Sequence, residues 1–590
     1  MNLGPWLNRL APDFVTTGRR FPFAILLAAA MTAVALFTIN PPSNIVDGLE
    51  PWFRGVAGLA TAAVLAVAGV FFAESRPAAK ATAFVLKYLL PLAAAAVFQV
   101  TSTFWVFPWL LPGVAILWLS VSPFTSIGRG PEREAQQSLF WWVNHHAVAT
   151  AAIAAAAFAI IAIGLTAIER SLSVLFNLDA SLIFYRWVLP FTGLFLTPVY
   201  WLSTLPRAAN VPASETENPD FTSNAIGFLG QFVLVPLLLI YGAILLVYTG
   251  QIAITQQLPQ GMIGWMVLGF VVTGAATWLV LHPRFMREKP LVRLFRRFWF
   301  WLTLIPLALF FFAVWVRVDA YGLTPERILL LAGGLWASIL ALLFLIGRGD
   351  IRVIPALACV ILLVLSIGPW NVAHLPTSQQ LGRLDALVMN AGADKSASPP
   401  RGDWSAAEIA EARGIIDFLV GTREGREGTR DVMGKYRVTW DSGQDGSYAV
   451  LEALGVSVPS TDGVQRYATL FRDFDNAPVD VSATPYLIRP IGLYGNGALD
   501  APPLRFWAQD GVVRVGLLGV PDLELPVLEL SNWLVGQTGG FLQSPVIPFV
   551  VDGRNYSLVV QSVTIDRGED NAGPPMLSSM EGQLFSDVAQ

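Results

Sequence analysis

The stretch VIPALACVILLVLSIGPWNVAHLPTSQQLGRLDALVMN, residues Val353–Asn390, contains the change in composition that decides the fold. Up to Trp370 it is an apolar run, and beyond Trp370 it is a polar segment with leucines at helical spacing. The chain before this point is a series of long apolar runs separated by short loops, and these runs stop after it. The pattern predicts a polytopic α-helical membrane domain over residues 1–370 and a soluble domain over residues 371–590.

Charge is distributed unevenly between these two parts. The chain has 590 residues, of which 54% are hydrophobic and 14% are charged, whereas soluble proteins carry roughly 25% charged residues. Residues 1–370 contain 22 Lys and Arg and 15 Asp and Glu, and residues 371–590 contain 16 and 27. The membrane part is therefore basic and the C-terminal part acidic, and neither indicates a nucleic-acid partner.

Cysteine and histidine are scarce. Cys359 is the single cysteine, which excludes an intramolecular disulfide and a cysteine metal cluster. The four histidines include the adjacent pair His145 and His146. Neighbouring helix positions point about 100° apart, so these two side chains cannot easily share one ligand.

Eleven apolar segments reach or approach the roughly 20 residues that a helix needs to cross a bilayer. The first is longer than the apolar region of a cleavable signal peptide, so we expect it to be an anchor. The fourth and the last are the shortest. The segments are Phe21–Ile39, Trp52–Phe72, Ala81–Val100, Phe107–Val121, Trp141–Leu165, Leu182–Leu202, Ile226–Val247, Met262–Leu281, Phe298–Trp315, Ile328–Ile346 and Val353–Ile367.

Basic residues in the loops give the orientation, because they are retained on the cytoplasmic side. The N-terminus and every second loop hold 16 of them, six within Arg284–Arg297, and the alternate loops hold five. The N-terminus is therefore expected in the cytoplasm. An odd number of crossings places the C-terminal domain outside, which is the periplasm of a Gram-negative cell. If Val353–Ile367 does not cross, the domain faces the cytoplasm instead.

Two amphipathic helices are predicted at the start of the soluble domain. Apolar residues recur at helical spacing in Gln379–Met389 and in Trp404–Leu419. Ser405 and Glu408 form a capping-box pattern at the start of the second helix. The intervening Ala391–Asp403 is rich in Ser, Pro and Gly and is expected to be a linker.

The remainder of the soluble domain indicates strands and completes an α+β fold. Leu525–Val535 is expected to be a helix, and Met433–Asp500 is expected to be irregular. Two hairpin signals occur, each a pair of strand-like segments around a turn sequence. The pairs are Leu504–Ala508 with Val512–Leu517, and Phe549–Val551 with Tyr556–Val560.

Four stretches carry a resemblance to a known family. They are GPWNVAHLPTSQQLGRLDALVMNAG (Gly368–Gly392), SAAEIAEARGIIDFLVG (Ser405–Gly421), FLGQFVLVPLLLIYGAILLVYTGQI (Phe228–Ile252) and LPQGMIGWMVLGF (Leu258–Phe270). Over the later apolar segments and the start of the soluble domain, the chain resembles a bacterial family known only as domain of unknown function 4153. The resemblance implies a membrane protein of the bacterial envelope, and it implies no activity and no site residues.

Five polar side chains within the apolar segments are candidates for lining an intramembrane cavity, because polar groups are costly in a membrane. Hydrogen bonds between helices explain such groups equally well. Pro190, Pro198 and Pro236 could break their helices, which is a device of transporters, although proline is ordinary in membrane helices. The five candidates are Arg186, Gln231, Asn144, Gln99 and Tyr241.

A partial calcium-loop pattern is formed by Asp441, Asp445 and Glu452. Carboxylates at alternate positions, a turn glycine and a distal glutamate suit calcium, but the third position holds glycine. The preceding Tyr436–Trp440 looks like a strand, whereas a calcium loop follows a helix. The alternative is a polar turn followed by a helix that starts near Tyr448. Apart from calcium, the sequence indicates no cofactor.

Three kinds of function remain open. The first is an envelope scaffold, or a binding and sensing protein, whose outward-facing domain binds a protein, peptide or glycan. The second is a transporter or flippase with a polar cavity among the later spans. The third and least favoured is a membrane enzyme, because no motif of a serine hydrolase, zinc protease, P-loop or dinucleotide-binding protein stands out. The lipid bilayer is a partner in all three.

Overall fold

The chain divides into two compact units, Met1–Leu454 and Gly455–Gln590. The first is helical, and the described part of the second consists of β-strands. The computed structural model describes residues 15–41, 49–100, 104–125, 131–208, 211, 221–255, 263–390, 404–436, 438, 440, 447–454, 456, 467–472, 479–495, 497–509, 512–518, 520, 524–529, 541–542, 546–566 and 576–588.

Eight helices among the described residues are long and apolar enough to cross a membrane. They are α1 (Pro22–Ile39), α2 (Glu50–Ser75), α3 (Lys80–Val97), α5 (Pro131–Phe176), α6 (Ser181–Thr204), α7 (Ser223–Ile252), α10 (Pro290–Tyr321) and α11 (Pro325–Leu345). Three apolar helices are shorter: α4 (Pro108–Phe124), α8 (Gly264–Val280) and α12 (Val353–Ser366). A four-residue helix, α9 (Arg284–Arg287), follows α8. Every predicted segment is thus helical, but eleven crossings are not confirmed, and the eighth segment is shorter than predicted.

Hydrogen bonds and ion pairs join the loops of the first unit in two separate sets. One set joins the loops that sequence places in the cytoplasm: Arg20 with Glu74, Arg133 with Asp350, Arg284 with Glu134, and Arg352 with Phe124. The other set joins the alternate loops: Arg54 with Val100, Asn40 with Arg186, Phe107 with Ser366, and Gln380 with Tyr321. The short helices α4 and α12 have one end in each set, so they run antiparallel between the same two faces.

The predicted breaks at prolines are wrong, because α6 and α7 continue through them. A π-helical turn ends two residues before Pro190, Pro198 and Pro236 alike. A proline has no N–H to donate and its ring crowds the preceding turn, and the wider turn accommodates both effects. The carbonyl of Arg186, four residues before Pro190, instead accepts a hydrogen bond from Asn40 Nδ2 at 3.2 Å. The prolines therefore reshape these helices without interrupting them.

A large aromatic core holds the later helices together. Trp299 on α10 is fully buried, and its ring lies 4.7 Å from that of Phe270 and 5.0 Å from that of Phe295. Gly274 on α8 faces this ring so closely that an added Cβ would lie 1.7 Å from Trp299 Cζ2. The absent side chain of Gly274 is thus a requirement of the packing between α8 and α10.

The polar helices after the membrane helices belong to the first compact unit. They are α13 (His374–Asn390), α14 (Ala406–Val420), α15 (Arg423–Lys435) and α16 (Ser447–Ala453). The capping box of Ser405 and Glu408 is confirmed, as is a helix near Tyr448. The described positions of Tyr436–Trp440 are not in a strand, so that prediction is wrong. The limits of a soluble domain at residues 371–590 stay a prediction.

The second unit contains two sheets that share one hydrophobic core. Both predicted hairpins are present, and Asp552 and Gly553 connect β8 to β9 with the two positive φ angles of a type I′ turn. The helix predicted at Leu525–Val535 is wrong for residues 525–529, which lie in β6, and residues 530–535 lie outside the described residues. The strands are β1 (Tyr467–Arg472), β2 (Tyr486–Tyr494), β3 (Ala498–Ala501), β4 (Leu504–Gln509), β5 (Val512–Leu517), β6 (Glu524–Glu529), β7 (Phe541–Leu542), β8 (Val546–Val551), β9 (Arg554–Asp566) and β10 (Met576–Ser586).

In the larger sheet the order is β2-β10-β9-β1-β7, with β8 also paired to β9, and the smaller sheet has the order β3-β4-β5-β6. The pair β1–β7 is parallel, and the other pairs are antiparallel. Buried residues alternate with exposed ones along β4, as expected for a strand with one face on the core. The region predicted to be irregular contains β1 and β2.

Candidate functional site

A cavity of about 580 Å³ lies among helices α2, α4, α5, α6, α7, α8 and α12. Its lining is mainly aliphatic and aromatic, and includes Val64, Ile116, Leu119, Val148, Ile226 and Leu279. Apolar residues at helical spacing on several helices produce this lining, because each helix turns one apolar face inward. The volume lies within the range of about 300–1,000 Å³ that is typical of small-molecule sites.

Three polar side chains of this cavity, Asn144, His145 and Trp201, form hydrogen bonds within the protein. Asn144 Nδ2 donates to the carbonyls of Phe140 at 2.9 Å and Ser120 at 3.2 Å. His145 stacks on Trp141, and its Nε2 lies 3.2 Å from Ser223 Oγ. Trp201, which also lines the cavity, donates from Nε1 to the Ala147 carbonyl at 2.9 Å. The cavity therefore presents an apolar surface even where its residues are polar.

A second cavity of about 250 Å³ adjoins the first and is more polar. The two share Phe71, Pro123 and Val143 as lining residues. The smaller cavity is also lined by Glu74 and Ser75 at the end of α2. The two cavities together thus have an apolar interior and a polar end.

A network of two arginines and one glutamate lies at this polar end. Arg20 donates two hydrogen bonds to the Glu74 carboxylate, one from Nε at 2.8 Å and one from Nη2 at 2.9 Å. It also donates to the carbonyls of Leu205 and Pro206. Arg207 Nε lies 3.5 Å from Glu74 Oε1, and 53% of the Arg207 side chain is exposed. The network carries one excess positive charge, and Arg207 is its accessible member.

The other four predicted cavity residues have separate surroundings. Gln99 Nε2 donates to the Pro51 carbonyl at 3.4 Å, and the Tyr241 ring lies 5.7 Å from that of Phe270. Arg186 is exposed and contacts Asn40 through its carbonyl, as described above. Gln231 is half-buried in the π-helical turn of α7. Of the five candidates, Asn144 lines the 580 Å³ cavity, and the convergence of all five stays a prediction.

The calcium-loop candidates fall largely outside the described residues. Asp441 and Asp445 are not described, and for Glu452 the structure describes the backbone, within α16. Among the described residues, no group of three or more His, Cys, Asp and Glu is arranged to hold a metal ion. Calcium binding by Asp441, Asp445 and Glu452 stays a prediction.

A buried ion-pair cluster, which sequence reasoning missed, joins α5 to the start of α12. Asp350 accepts hydrogen bonds from Arg133 Nε at 3.0 Å and from Arg352 Nη2 at 2.9 Å. Arg352 also donates from Nη1 to Gln136 Oε1 at 2.7 Å. Asp350 and Arg352 are both 6% exposed. The arginines were visible in the sequence as topology signals, but the loop charges alone do not reveal the carboxylate that pairs with them.

A buried histidine lies in the loop after α8. His282 is 3% exposed, and Arg287 Nη2 lies 3.2 Å from its Nε2. Burial lowers the pKa of His282 to about 3, and the charges of Arg287 and Arg296 act in the same direction. The imidazole is therefore neutral at neutral pH, with Nε2 available to accept from Arg287.

We expect the His282→Gln variant to lose less stability than the native protein when the pH falls from 7 to 5. Because the folded pKa is depressed, the stability from the neutral imidazole is fully present above the unfolded pKa of about 6.5. It declines as the pH falls towards the folded pKa. The native protein should lose about 2 kcal/mol more than the variant by pH 5. Unfolding curves in detergent at both pH values test this, and equal losses would contradict it.

A second set of buried polar contacts fixes α13 to the preceding helices. Asn371 is fully buried; its Nδ2 donates to the carbonyls of Gly368 at 2.9 Å and Phe104 at 3.2 Å. Its Oδ1 accepts from the backbone N–H groups of Ala373 and His374, so it caps the first turn of α13. A single asparagine thus joins the end of α12, the loop before α4 and the start of α13.

The loop between α10 and α11 also holds α13. Gln380 is 2% exposed, and its Nε2 donates to the carbonyls of Tyr321 at 3.0 Å and Leu323 at 3.2 Å. The Leu323 N–H donates in turn to Gln379 Oε1 at 2.6 Å. We call Asn371, Gln379 and Gln380, with these partners, the α13 junction. Both polar atoms of the Asn371 amide and Nε2 of Gln380 bond to backbone groups, whereas the buried Oε1 of Gln380 has no partner among the described residues. These bonds set the orientation of α13 relative to the membrane helices.

Comparison with known proteins gives a family but no activity. The family described as "Domain of unknown function (DUF4153)" matches residues 23–390 of the chain. An uncharacterized protein of Pasteurella multocida (strain Pm70) is 25% identical over 242 residues, which cover 39% of this chain and 38% of that protein. The chain thus matches well under half the length of this relative. No solved structure matches the chain.

Proposed function

The chain belongs to the DUF4153 family, and we propose that it is an integral protein of the bacterial inner membrane that binds an envelope partner. The N-terminus lies in the cytoplasm, and residues 371–590 lie outside, in the periplasm of a Gram-negative cell. The outward-facing part binds a protein, a peptide or a glycan. The helical bundle holds α13, at the start of this part, in a fixed position, as a scaffold or a sensor requires.

The α13 junction is the observation that carries this proposal. A domain that only needs attachment to the membrane can be joined to it by a flexible polar linker, whose backbone groups form hydrogen bonds with water. Here the buried side chains of Asn371 and Gln380 donate to backbone carbonyls of the loops before α4 and after α10. A ligand that displaces α13 therefore displaces the ends of membrane helices as well.

The two sets of loop contacts support the sidedness. All the loops that are rich in Arg and Lys fall in one set, as expected if that set faces the cytoplasm. The α13 junction belongs to the other set, through Phe104 and Tyr321. These two facts together support the proposed outward position of α13.

We expect opposite labelling of two introduced cysteines by a membrane-impermeant maleimide on intact spheroplasts. Cys359 is buried and can be replaced by alanine to give a background without cysteine. Ser378→Cys on α13 should react in intact spheroplasts, whereas Glu288→Cys, after α9, should react only after permeabilisation. Both positions are exposed, so the two variants are matched in reactivity. The reverse pattern would contradict the proposed orientation.

The binding role is tested with a photo-crosslinking amino acid at the same two faces. At Arg423, which is 70% exposed on α15, it should capture an envelope protein or glycan in growing cells. At Glu288 it should not capture the same species. Capture of no envelope component at Arg423 and at further exposed positions of α13 and α14 would refute the binding role while leaving the orientation intact.

A transporter or flippase is the second candidate function, and the 580 Å³ cavity is the observation that favours it. Its polar side chains already have partners within the protein. This arrangement suits an apolar passenger better than a polar solute, because a polar solute would find few free hydrogen-bonding groups. A flippase would need the bound lipid to cross, so a first requirement is that the cavity binds lipid.

A further inference from the structure

We propose that the 580 Å³ cavity binds the hydrocarbon chain of an anionic membrane lipid, whose head group lies at the adjoining polar end beside Arg207. The proposal concerns the chemistry of the ligand and is independent of which face is cytoplasmic. It therefore stands or falls separately from the envelope-binding role proposed above.

The cavity interior selects a hydrocarbon chain. Aliphatic side chains such as Val64, Ile116 and Leu279 dominate the lining. The amide nitrogen of Asn144 and the indole nitrogen of Trp201 donate to backbone carbonyls and are not offered to a ligand. Water needs two to four polar partners to occupy such a space, whereas a hydrocarbon chain needs none. A lipid chain is the abundant apolar molecule in the surroundings of a membrane helix.

The adjoining cavity selects an anionic head group. Arg20 and Glu74 neutralise each other through their paired hydrogen bonds. Arg207 is held more loosely, with its Nε 3.5 Å from the Glu74 carboxylate, and half of its side chain is exposed. A guanidinium in this state can form paired hydrogen bonds with a phosphate group. Pro206 and Ala208, on either side of Arg207 in the chain, line the adjoining cavity.

The position of the two cavities matches the shape of a lipid. They share Phe71, Pro123 and Val143, so the polar end and the apolar interior adjoin directly. The polar end lies where α2 and α6 finish, and the apolar interior extends along α5 as far as Ala151. A head group at the polar end would therefore have its chain inside the helical bundle.

The test uses the full-length protein in nanodiscs with two photoreactive probes. One is phosphatidylglycerol with a diazirine midway along one acyl chain, and the other is phosphatidylcholine with the same chain. After irradiation, peptide mapping should show phosphatidylglycerol attached to the half-buried cavity-lining residues Ala147 and Ala151 of α5. Labelling spread evenly over the exposed lipid-facing residues of α5, such as Ala152 and Ile153, would overturn the proposal.

A matched pair of variants tests the chain site. Ala151 lines the cavity, whereas its neighbour Ala152 is exposed and is not among the lining residues. Ala151→Trp fills the cavity and should reduce labelling at Ala147 to the level seen at Ala152 and Ile153, which are not among the lining residues. Ala152→Trp should leave it unchanged. Equal labelling of the two variants would overturn the proposal even if both fold normally.

A second pair tests the head-group site. Arg207→Gln should weaken phosphatidylglycerol labelling about fivefold, as expected for the loss of one basic residue near a lipid surface, and leave phosphatidylcholine labelling unchanged. Arg297→Gln removes an exposed arginine of α10 and should change neither. Equal labelling by both probes in the native protein would show that the site does not select an anionic head group.

Discussion

The Asp350→Asn variant is expected to lose about 3–5 kcal/mol of folding free energy, because it leaves two arginines around a site that no longer carries a negative charge. Asp350 receives hydrogen bonds from Arg133 and from two nitrogens of Arg352. Asparagine retains the shape of the side chain but offers one oxygen and no charge. Arg352 is 6% exposed, so water cannot replace the lost partner.

The depressed pKa of Asp350 also indicates that its negative charge stabilises the fold. Burial raises the pKa of the Asp350 carboxyl, but hydrogen bonds from Arg352 and Arg133 outweigh burial, and the net pKa lies below the usual value. Since the folded pKa is depressed, the ion pair stabilises the protein above the unfolded pKa of about 3.9 and is lost as the pH falls through the folded value. Neutralising Asp350 by mutation should therefore remove a stabilisation that the native protein keeps at neutral pH.

Thermal or denaturant unfolding in detergent at pH 7 measures this loss. The matched control is Glu50→Gln. Glu50 is also paired with an arginine, Arg54, but its side chain is 75% exposed. Its neutralisation should therefore lower the folding free energy by no more than about 0.5 kcal/mol. The double variant Asp350→Leu with Arg352→Met removes the buried charges together and should recover part of the loss. Similar losses in Asp350→Asn and Glu50→Gln would show that the cluster does not stabilise the fold.

Sequence patterns located the membrane helices well because hydropathy and charge are local properties. Every apolar segment that they indicated is helical, and the Ser405 capping box is present. Tertiary pairing is not local, so the arginines of the loops could be identified from the sequence, but their pairing with Asp350 could not. Asn371 and Gln380 were missed for the same reason: an isolated amide in a polar segment does not reveal that a neighbouring loop will bury it.

The errors of secondary structure have identifiable causes. Leu525–Leu528 has an apolar pattern short enough for a strand or a buried helix, and pairing with β5 makes it a strand. Pro190 and Pro236 could have broken their helices or been ordinary membrane-helix prolines, and the second alternative holds, because a π-helical turn before each proline accommodates its missing N–H. The cavity could not be inferred from any one segment, because seven helices contribute to its wall.

The Gly274→Ala variant is expected to lose about 3 kcal/mol, although alanine is the better helix former by up to about 1 kcal/mol. The added Cβ would lie 1.7 Å from Cζ2 and 2.1 Å from Cη2 of Trp299, so the ring or the helix must move. Trp299 cannot move freely, because Phe270 and Phe295 flank it and no part of it reaches the surface. Small residues at helix interfaces permit this close approach in membrane proteins.

Gly269, on the same helix, provides the matched control. It is exposed, and an added Cβ would have no neighbour within 4 Å among the described residues. Gly269→Ala should therefore be neutral or stabilising, so that the difference between the two glycine variants isolates the contact with Trp299. Shortening the opposing side chain in the double variant Gly274→Ala with Trp299→Leu should cost less than the sum of the two single changes, because the clash is absent. If the losses of the two single variants simply add in the double variant, the loss in Gly274→Ala arises elsewhere in α8. A clash between the added Cβ and Trp299 would disappear when the indole ring is removed, so the losses could not add.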